Sequence, residues 1–226
     1  MRPDPVGAIH AAGVPSLGDR VARRIARVAP HAPALASAMA ILGDGGALAT
    51  AGALTGISGP EAGRIAYQLR RIEVLSAEDP FTFVHPLVRR SVYEAMPATE
   101  RDAHHAAAAA LLREAAAPPE AVAVHLDTIA PRASTEVATT MMQAAEGALA
   151  HIAPDEALRW FRRALEEGAS EPPAAAILAR LGATEVILRV PEAIPHLETA
   201  LELADDPELR PRIAVLLADC LFLTGA

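Results

Sequence analysis

The sequence predicts a mainly α-helical chain, in which a small helix-turn-helix module with a short β-wing precedes a solenoid of helical hairpins. Three observations predict it. Apolar residues recur at helical spacing through most of the 226 residues. The composition is 52% hydrophobic but only 3% aromatic, so the core is built from Ala, Leu, Val and Ile, whose small side chains let helices approach closely. A phrase of small and apolar residues also returns at a constant offset of thirty-six positions in the C-terminal half.

Taken in order, Met1 to Leu17 is rich in Pro, Gly and Ala and packs poorly on its own. Asp19 reads as the N-cap of a helix to Val28, with Val21, Ile25 and Val28 on one face and Arg20, Arg23, Arg24 and Arg27 on a solvated basic face. Ala32 to Leu42 is an apolar helix ended by Gly43, and Ala47 to Leu54 a second ended near Gly56. Ser58 is placed to cap a third, with Pro60 just inside its start and Ile65, Leu69 and Ile72 on the buried side. The join Thr55-Gly56-Ile57-Ser58 is a helix-turn-helix signature. Val74-Leu75 and Phe81-Thr82-Phe83-Val84 read as the two strands of a wing, with Ala77 to Pro80 as the turn. Pro86 suits the first turn of the next helix, because that position needs no backbone donor. Leu87, Val88, Ser91, Val92 and Met96 then follow at helical spacing. Residues 1–30 are read as a linker, 31–97 as a winged-helix domain and 98–226 as a helical-repeat arm.

The arm reads as helix upon helix: Thr99 to Ala116, Glu120 to Ile129, Thr135 to Ile152 capped by Ser134, Asp155 to Gly168 started by Pro154, Pro173 to Leu188, Pro191 to Leu203 and Pro207 to Leu223. Ala157, Phe161 and Ala164 match Ala193, Leu197 and Ala200 at the thirty-six-residue offset. That is close to the tetratricopeptide period of about 34, where small residues mark the contact between paired helices. Leu181-Gly182 supplies the small position of a first helix, and Ala145 that of the preceding repeat. Pro195 breaks the second phrase, which predicts a kink or a late helix start. Glu208 to Leu223 resembles the first helix of a further repeat. The chain is therefore read as a piece of a larger protein, with Leu216, Leu217, Leu221 and Phe222 partly exposed and self-association expected through that end.

Charge and composition exclude several functions. The net charge of −8 argues against nucleic acid as the main partner. The single Cys220 rules out an internal disulfide and a cysteine-rich zinc site. No secretory signal and no membrane span is evident, so a cytoplasmic location is expected. There is no lysine anywhere, and a phosphate-binding loop of the G-x-x-x-x-G-K-[ST] type is therefore absent. Gly43-Asp44-Gly45-Gly46 reads as a plain loop. His104, His105 and His125 lack metal-ligand spacing, and no nucleophile elbow or Cys/His constellation is present. No resident cofactor and no enzymatic activity are expected.

One segment carries more information. Phe81 to Val84 followed by His85-Pro86-Leu87-Val88-Arg89-Arg90 holds a histidine at a strand-to-helix junction, beside a helix N-terminus where anions are welcome. This phrase resembles the F-x-H-P-L-V-R-x-x-V-Y segment of the large ATP-binding regulators of the LuxR family, relatives of the bacterial maltose regulator, and the winged-helix motif of STAND-type signalling ATPases. The following helix, with Arg101, His105, Ala108, Ala109 and Leu112, is similar to the one that follows in those proteins. The resemblance runs from roughly Val21 to the C-terminus. It implies a segment of such a regulator, whose ATPase domain, binding ADP or ATP, and C-terminal DNA-binding domain lie outside this chain. It implies that His85, with Arg89 nearby, senses a nucleotide phosphate; the residues alone read His85 as a cap of the helix or a partner of local backbone groups. Pro86 stands where many relatives carry aspartate. It also implies that the helical arm binds an inducer or a protein partner. Trp160 and Phe161 are the only adjacent aromatic pair in the arm; Phe161 reads as core and Trp160 as a candidate groove residue. The alternative reading is a stand-alone winged-helix DNA-binding protein with a helical dimerisation arm. Its reading helix would present Arg64, Gln68, Arg70 and Arg71.

Overall fold

The computed structural model describes residues 17–44, 46–76, 80–168 and 174–224. The predicted N-terminal linker before Leu17, the middle of the wing turn and Pro173 lie outside the described residues. Among the described residues there are twelve helices and no strand. Contacts divide the chain at Leu111/Leu112 into two compact units, each described by itself. The sequence reading sets its boundary at Pro97, one helix earlier.

The first unit holds α1 (Leu17–Ala26), α2 (Ala32–Leu42), α3 (Leu48–Thr55), α4 (Gly59–Arg71), α5 (Pro86–Ala95) and most of α6 (Ala98–Glu114). The central helix is α2, whose Leu35, Ala36, Ala38 and Ala40 are fully buried, because α1, α3, α4 and α5 all pack on it. Its alanines make this possible, since a larger side chain would hold the neighbours away. Val21 and Ile25 of α1, Ile65 and Leu69 of α4 and Val92 of α5 complete that core. Burying each such aliphatic side chain contributes about 1.5–3 kcal/mol.

The α3–α4 join is built on two glycines. Gly56 ends α3 in the left-handed conformation at φ 69°, which glycine adopts without steric cost. Gly52 lets the turn close, because a Cβ there would come within 3.0 Å of the Ile57 carbonyl oxygen. The Ile57 N–H donates to the Gly52 carbonyl at 2.9 Å across the same turn. Ser58 precedes α4 in extended conformation, but its side chain accepts no capping hydrogen bond, contrary to the expected cap. Asp19 also differs from expectation: it lies in the first turn of α1, complementing the helix dipole, rather than before it.

The predicted wing is the main departure. Val74, Leu75 and Phe83 are buried, as a wing requires. Pairing is confined to one antiparallel bridge, Leu75 to Phe83, with Ser76 N–H donating to Thr82 O at 2.7 Å and Val84 N–H to Val74 O at 3.2 Å. Only Val74, Leu75 and Ser76 separate the Ile72–Glu73 turn from Ala77, so the first strand has little length over which to propagate a ladder.

The second unit holds the end of α6 with α7 (Pro119–Leu126), α8 (Thr135–Ala150), α9 (Pro154–Gly168), α10 (Ala174–Leu188), α11 (Ala193–Leu203) and α12 (Leu209–Thr224). Each helix from α7 onward packs on the next, and α10 also meets α12. The six positions of the thirty-six-residue phrase are buried to within 2% of full: Ala157, Phe161 and Ala164 on α9, and Ala193, Leu197 and Ala200 on α11. Gly182 of α10 lies directly against Leu197, where a Cβ would come within 2.7 Å of Leu197 Cγ. Pro195 is accommodated by a late start: α11 begins at Ala193, so the proline sits in the first turn, where its missing donor costs nothing. Ser134 caps α8, its Oγ accepting from the Val137 N–H at 3.4 Å.

Candidate functional site

His85 is the N-cap of α5, with extended backbone at φ −153° and ψ 141°. Its Nδ1 accepts the Leu87 N–H at 3.1 Å, so the acceptor nitrogen serves a first-turn donor that has no carbonyl partner within the helix. In a neutral imidazole the proton then resides on Nε2, and His85 is exposed. Arg89 takes a different direction. Its Nε donates to the Ala40 carbonyl at 3.2 Å and its Nη1 lies 3.9 Å from Asp44 Oδ2. Ala40 is in the last turn of α2, where a cation satisfies an unpaired carbonyl and the negative end of the helix dipole. The two residues of the predicted phosphate sensor are thus each engaged with backbone, at opposite kinds of helix terminus. Arg90 pairs with Glu94 one turn on, at 2.7 Å.

Arg64, Gln68, Arg70 and Arg71 are all exposed on α4. Gln68 and Arg71 converge with Arg24, Arg27 and Val28 of the α1 end on a cleft of about 400 Å³, floored by Ile72. Arg64 and Arg70 do not line it. Arg24 is held there by donating through Nη2 to the Ile72 carbonyl. Arg24 and Arg27 read in sequence as part of a solvated face. Arg24 stands in the last turn of α1 and Arg27 just beyond its end, and nothing local places α4 beside them.

The sequence reads the adjacent Glu166-Glu167 as solvated carboxylates at a helix end; Glu166 is exposed, but Glu167 is buried, because α9 turns it toward the α7–α8 connection. Arg163 and Glu167, one turn apart on α9, are both buried and pair at 2.7 Å. Arg163 Nη2 also donates to the carbonyls of Leu126 and Ile129, at 3.3 and 3.1 Å. Glu167 Oε2 accepts the N–H groups of Arg132 and Ser134, both at 2.9 Å. Burial raises the Glu167 carboxyl, but those two backbone donors and the Arg163 guanidinium outweigh it and hold it below its ordinary value. The pair therefore clamps the α7–α8 connection onto α9. A second buried carboxylate, Glu185 on α10, accepts from Arg162 of α9 at 3.1 Å and contacts His196 Nδ1 of α11 at 2.7 Å. Three successive helices are joined through one side chain.

A cavity of about 390 Å³ lies between the 127–131 connection and α9, lined by Asp127, Arg159, Arg162 and Arg163 among others. Its arginines are engaged, Arg159 with Asp127 at 2.9 Å and the other two as above. Trp160, the groove candidate, is 2% exposed and belongs to the core; packing of α9 between α8 and α10 leaves that face no solvent. Arg159 instead lies over the outer edge, 5.8 Å from the Trp160 ring centroid. His105 is buried against Tyr93, its Nε2 3.1 Å from the phenol oxygen, and burial pushes His125 below its ordinary value. Among the described residues no group of three or more His, Cys, Asp or Glu is placed to hold a metal ion, and no helix is long and apolar enough to cross a membrane.

Comparison with family models, with curated proteins and with solved structures gave no match to this chain.

Proposed function

We propose that this chain is a non-catalytic regulatory segment of an ATP-dependent, LuxR-type transcriptional regulator. Residues 31–97 act as a winged helix that follows nucleotide state, and residues 98–226 act as a tetratricopeptide-like arm that engages an inducer or protein partner. The observation carrying this reading is the repeat register. Positions thirty-six residues apart are equivalent in packing as well as in type, with Ala157, Phe161 and Ala164 buried on α9 and Ala193, Leu197 and Ala200 on α11. Quasi-repeated hairpins that contact only their neighbours are the economy of a solenoid, whose extended surfaces bind partners.

The junction at His85 supports the first half. With Nδ1 occupied by the helix cap, Nε2–H is left as a donor at a helix N-terminus, the arrangement that accepts a phosphate oxygen supplied by a neighbouring ATPase domain. ADP or ATP is thus a ligand of the parent protein, DNA is contacted through a separate domain, and the location is cytoplasmic. The test uses the intact regulator. His85→Asn keeps a capping side chain but removes the imidazole donor, whereas His85→Ala removes both. Loss of nucleotide retention in His85→Asn, with unchanged thermal stability, is the expected result. Retention at the wild-type level would reduce His85 to a cap and defeat the proposal.

The stand-alone alternative rests on the exposed Arg64, Gln68, Arg70 and Arg71 of α4. It predicts duplex retardation at low salt that is lost when Arg64, Arg70 and Arg71 are replaced together. Absence of retardation removes it.

A further inference from the structure

We propose that the cleft between the C-terminal ends of α1 and α4 binds a small phosphorylated molecule carrying two or more negative charges. Arg24 and Arg27 reach it from one side, Gln68 and Arg71 from the other, and no carboxylate is among its lining residues. Three guanidiniums in a cavity of about 400 Å³ repel one another until an anion enters. A single carboxylate neutralises one of them; a phosphate monoester or a diphosphate neutralises two or three, and each guanidinium fork matches two phosphate oxygens.

One wall of the cleft is fixed. Arg24 is anchored to the Ile72 carbonyl, which uses one of its five N–H donors and leaves the others for a ligand. The Gln68 carboxamide adds a neutral donor, and the partly buried Val28 and Ile72 supply an apolar floor for an uncharged part of the ligand. Cations at a helix C-terminus complement its dipole, and this accounts for basic last turns in α1 and α4. It does not account for Arg27, beyond the end of α1, facing the same cleft.

Charge distribution favours a small ligand over a nucleic acid. Residues 17–111 carry ten arginines against nine carboxylates, whereas residues 112–226 carry nine arginines against eighteen carboxylates. The acidic half repels a long polyanion. A molecule that fits within the cleft meets the local positive field of Arg24, Arg27 and Arg71. The inference is independent of the regulator reading above.

The test is calorimetric titration of the full chain with pyrophosphate at low salt, with sodium acetate as the monoanion control. Saturable one-to-one binding is expected for pyrophosphate and none for acetate. Arg27→Glu combined with Arg71→Glu should weaken binding by about tenfold or more, since it replaces two charge-assisted contacts by repulsion. Arg90→Glu on α5, an exposed residue of the same unit that does not line the cleft, should leave affinity within about twofold. If the double variant loses its helical circular dichroism, the exposed Gln68→Glu substitution serves in its place, with a smaller loss expected. The proposal is overturned by absence of saturable pyrophosphate binding, by equal affinity in the cleft variants, or by a duplex DNA that binds and is not displaced by pyrophosphate.

Discussion

Glu167→Gln is predicted to destabilise the second unit by about 3–5 kcal/mol, the cost of leaving a buried charge without its partner. Glu166 remains only as a weaker, exposed neighbour, its Oε2 3.9 Å from Arg163 Nη1. Both backbone donors, Arg132 and Ser134, bond to Oε2, while Arg163 Nη2 bonds to Oε1. A glutamine with its oxygen in the Oε2 place keeps the backbone bonds and sets an NH₂ group against the guanidinium. Arg163 is 5% exposed, so water does not replace the lost carboxylate oxygen. Urea unfolding followed by tryptophan emission measures the effect directly. Trp160 is the single tryptophan, is buried, and stands on α9, the helix onto which the connection is clamped. Against a total stability of about 5–15 kcal/mol, such a loss shifts the midpoint by a third or more in most cases. Combining Glu167→Gln with Arg163→Met should cost less than the sum of the two, by about 1–3 kcal/mol, because the first loss already removes the pair. A Glu167→Gln effect below about 1 kcal/mol, or additivity within about 0.5 kcal/mol, would refute the argument that this pair holds the α7–α8 connection.

Acid should destabilise the second unit in two stages. His125 has a folded-state pKa below its ordinary 6.5, so its contribution is present above that value and is lost as pH falls below it; His125→Gln flattens that part of a stability–pH curve. Glu167 is likewise depressed from 4.5, so its contribution persists until pH drops below that value and then falls away, and Glu167→Gln removes this second slope. Gly182→Ala should cost about 1–3 kcal/mol in urea unfolding despite the better helix propensity of alanine, because its Cβ overlaps Leu197; a stabilised variant would contradict the close α10–α11 approach. Gly56→Ala should cost about 1 kcal/mol through its positive φ, read as a lower melting temperature of the first unit.

Local chemistry made much of this fold legible. Pro60, Pro86 and Pro154 announce helix starts because a proline in the first turn forfeits no hydrogen bond, and each begins or nearly begins α4, α5 or α9. Gly56 announces a helix end because it alone enters the left-handed region freely. The thirty-six-residue phrase marked Ala157, Phe161 and Ala164 as core through their type and spacing alone. The wing was less legible, since Val74-Leu75 and Phe81 to Val84 carry strand propensity, but a ladder depends on the length and register of both partners. Trp160 misled because an amphipathic tip suits both a groove and a core, and only the packing of α8 and α10 around α9 decides between them.

The pattern of small and apolar residues, the prolines and the glycines determined by themselves that this chain is helical, where most helices begin and end, and which faces repeat. Those properties depend on neighbours within about one or two turns, so they are written in consecutive residues. Only the tertiary structure decided which charges meet. Arg89 reaches Ala40, Arg24 reaches Ile72, and Glu167 reaches Arg132 across 49, 48 and 35 residues. Whether an arginine is a helix cap, a buried counter-ion or one wall of an anion cleft depends on what another helix brings beside it, and spacing along one helix carries no record of that.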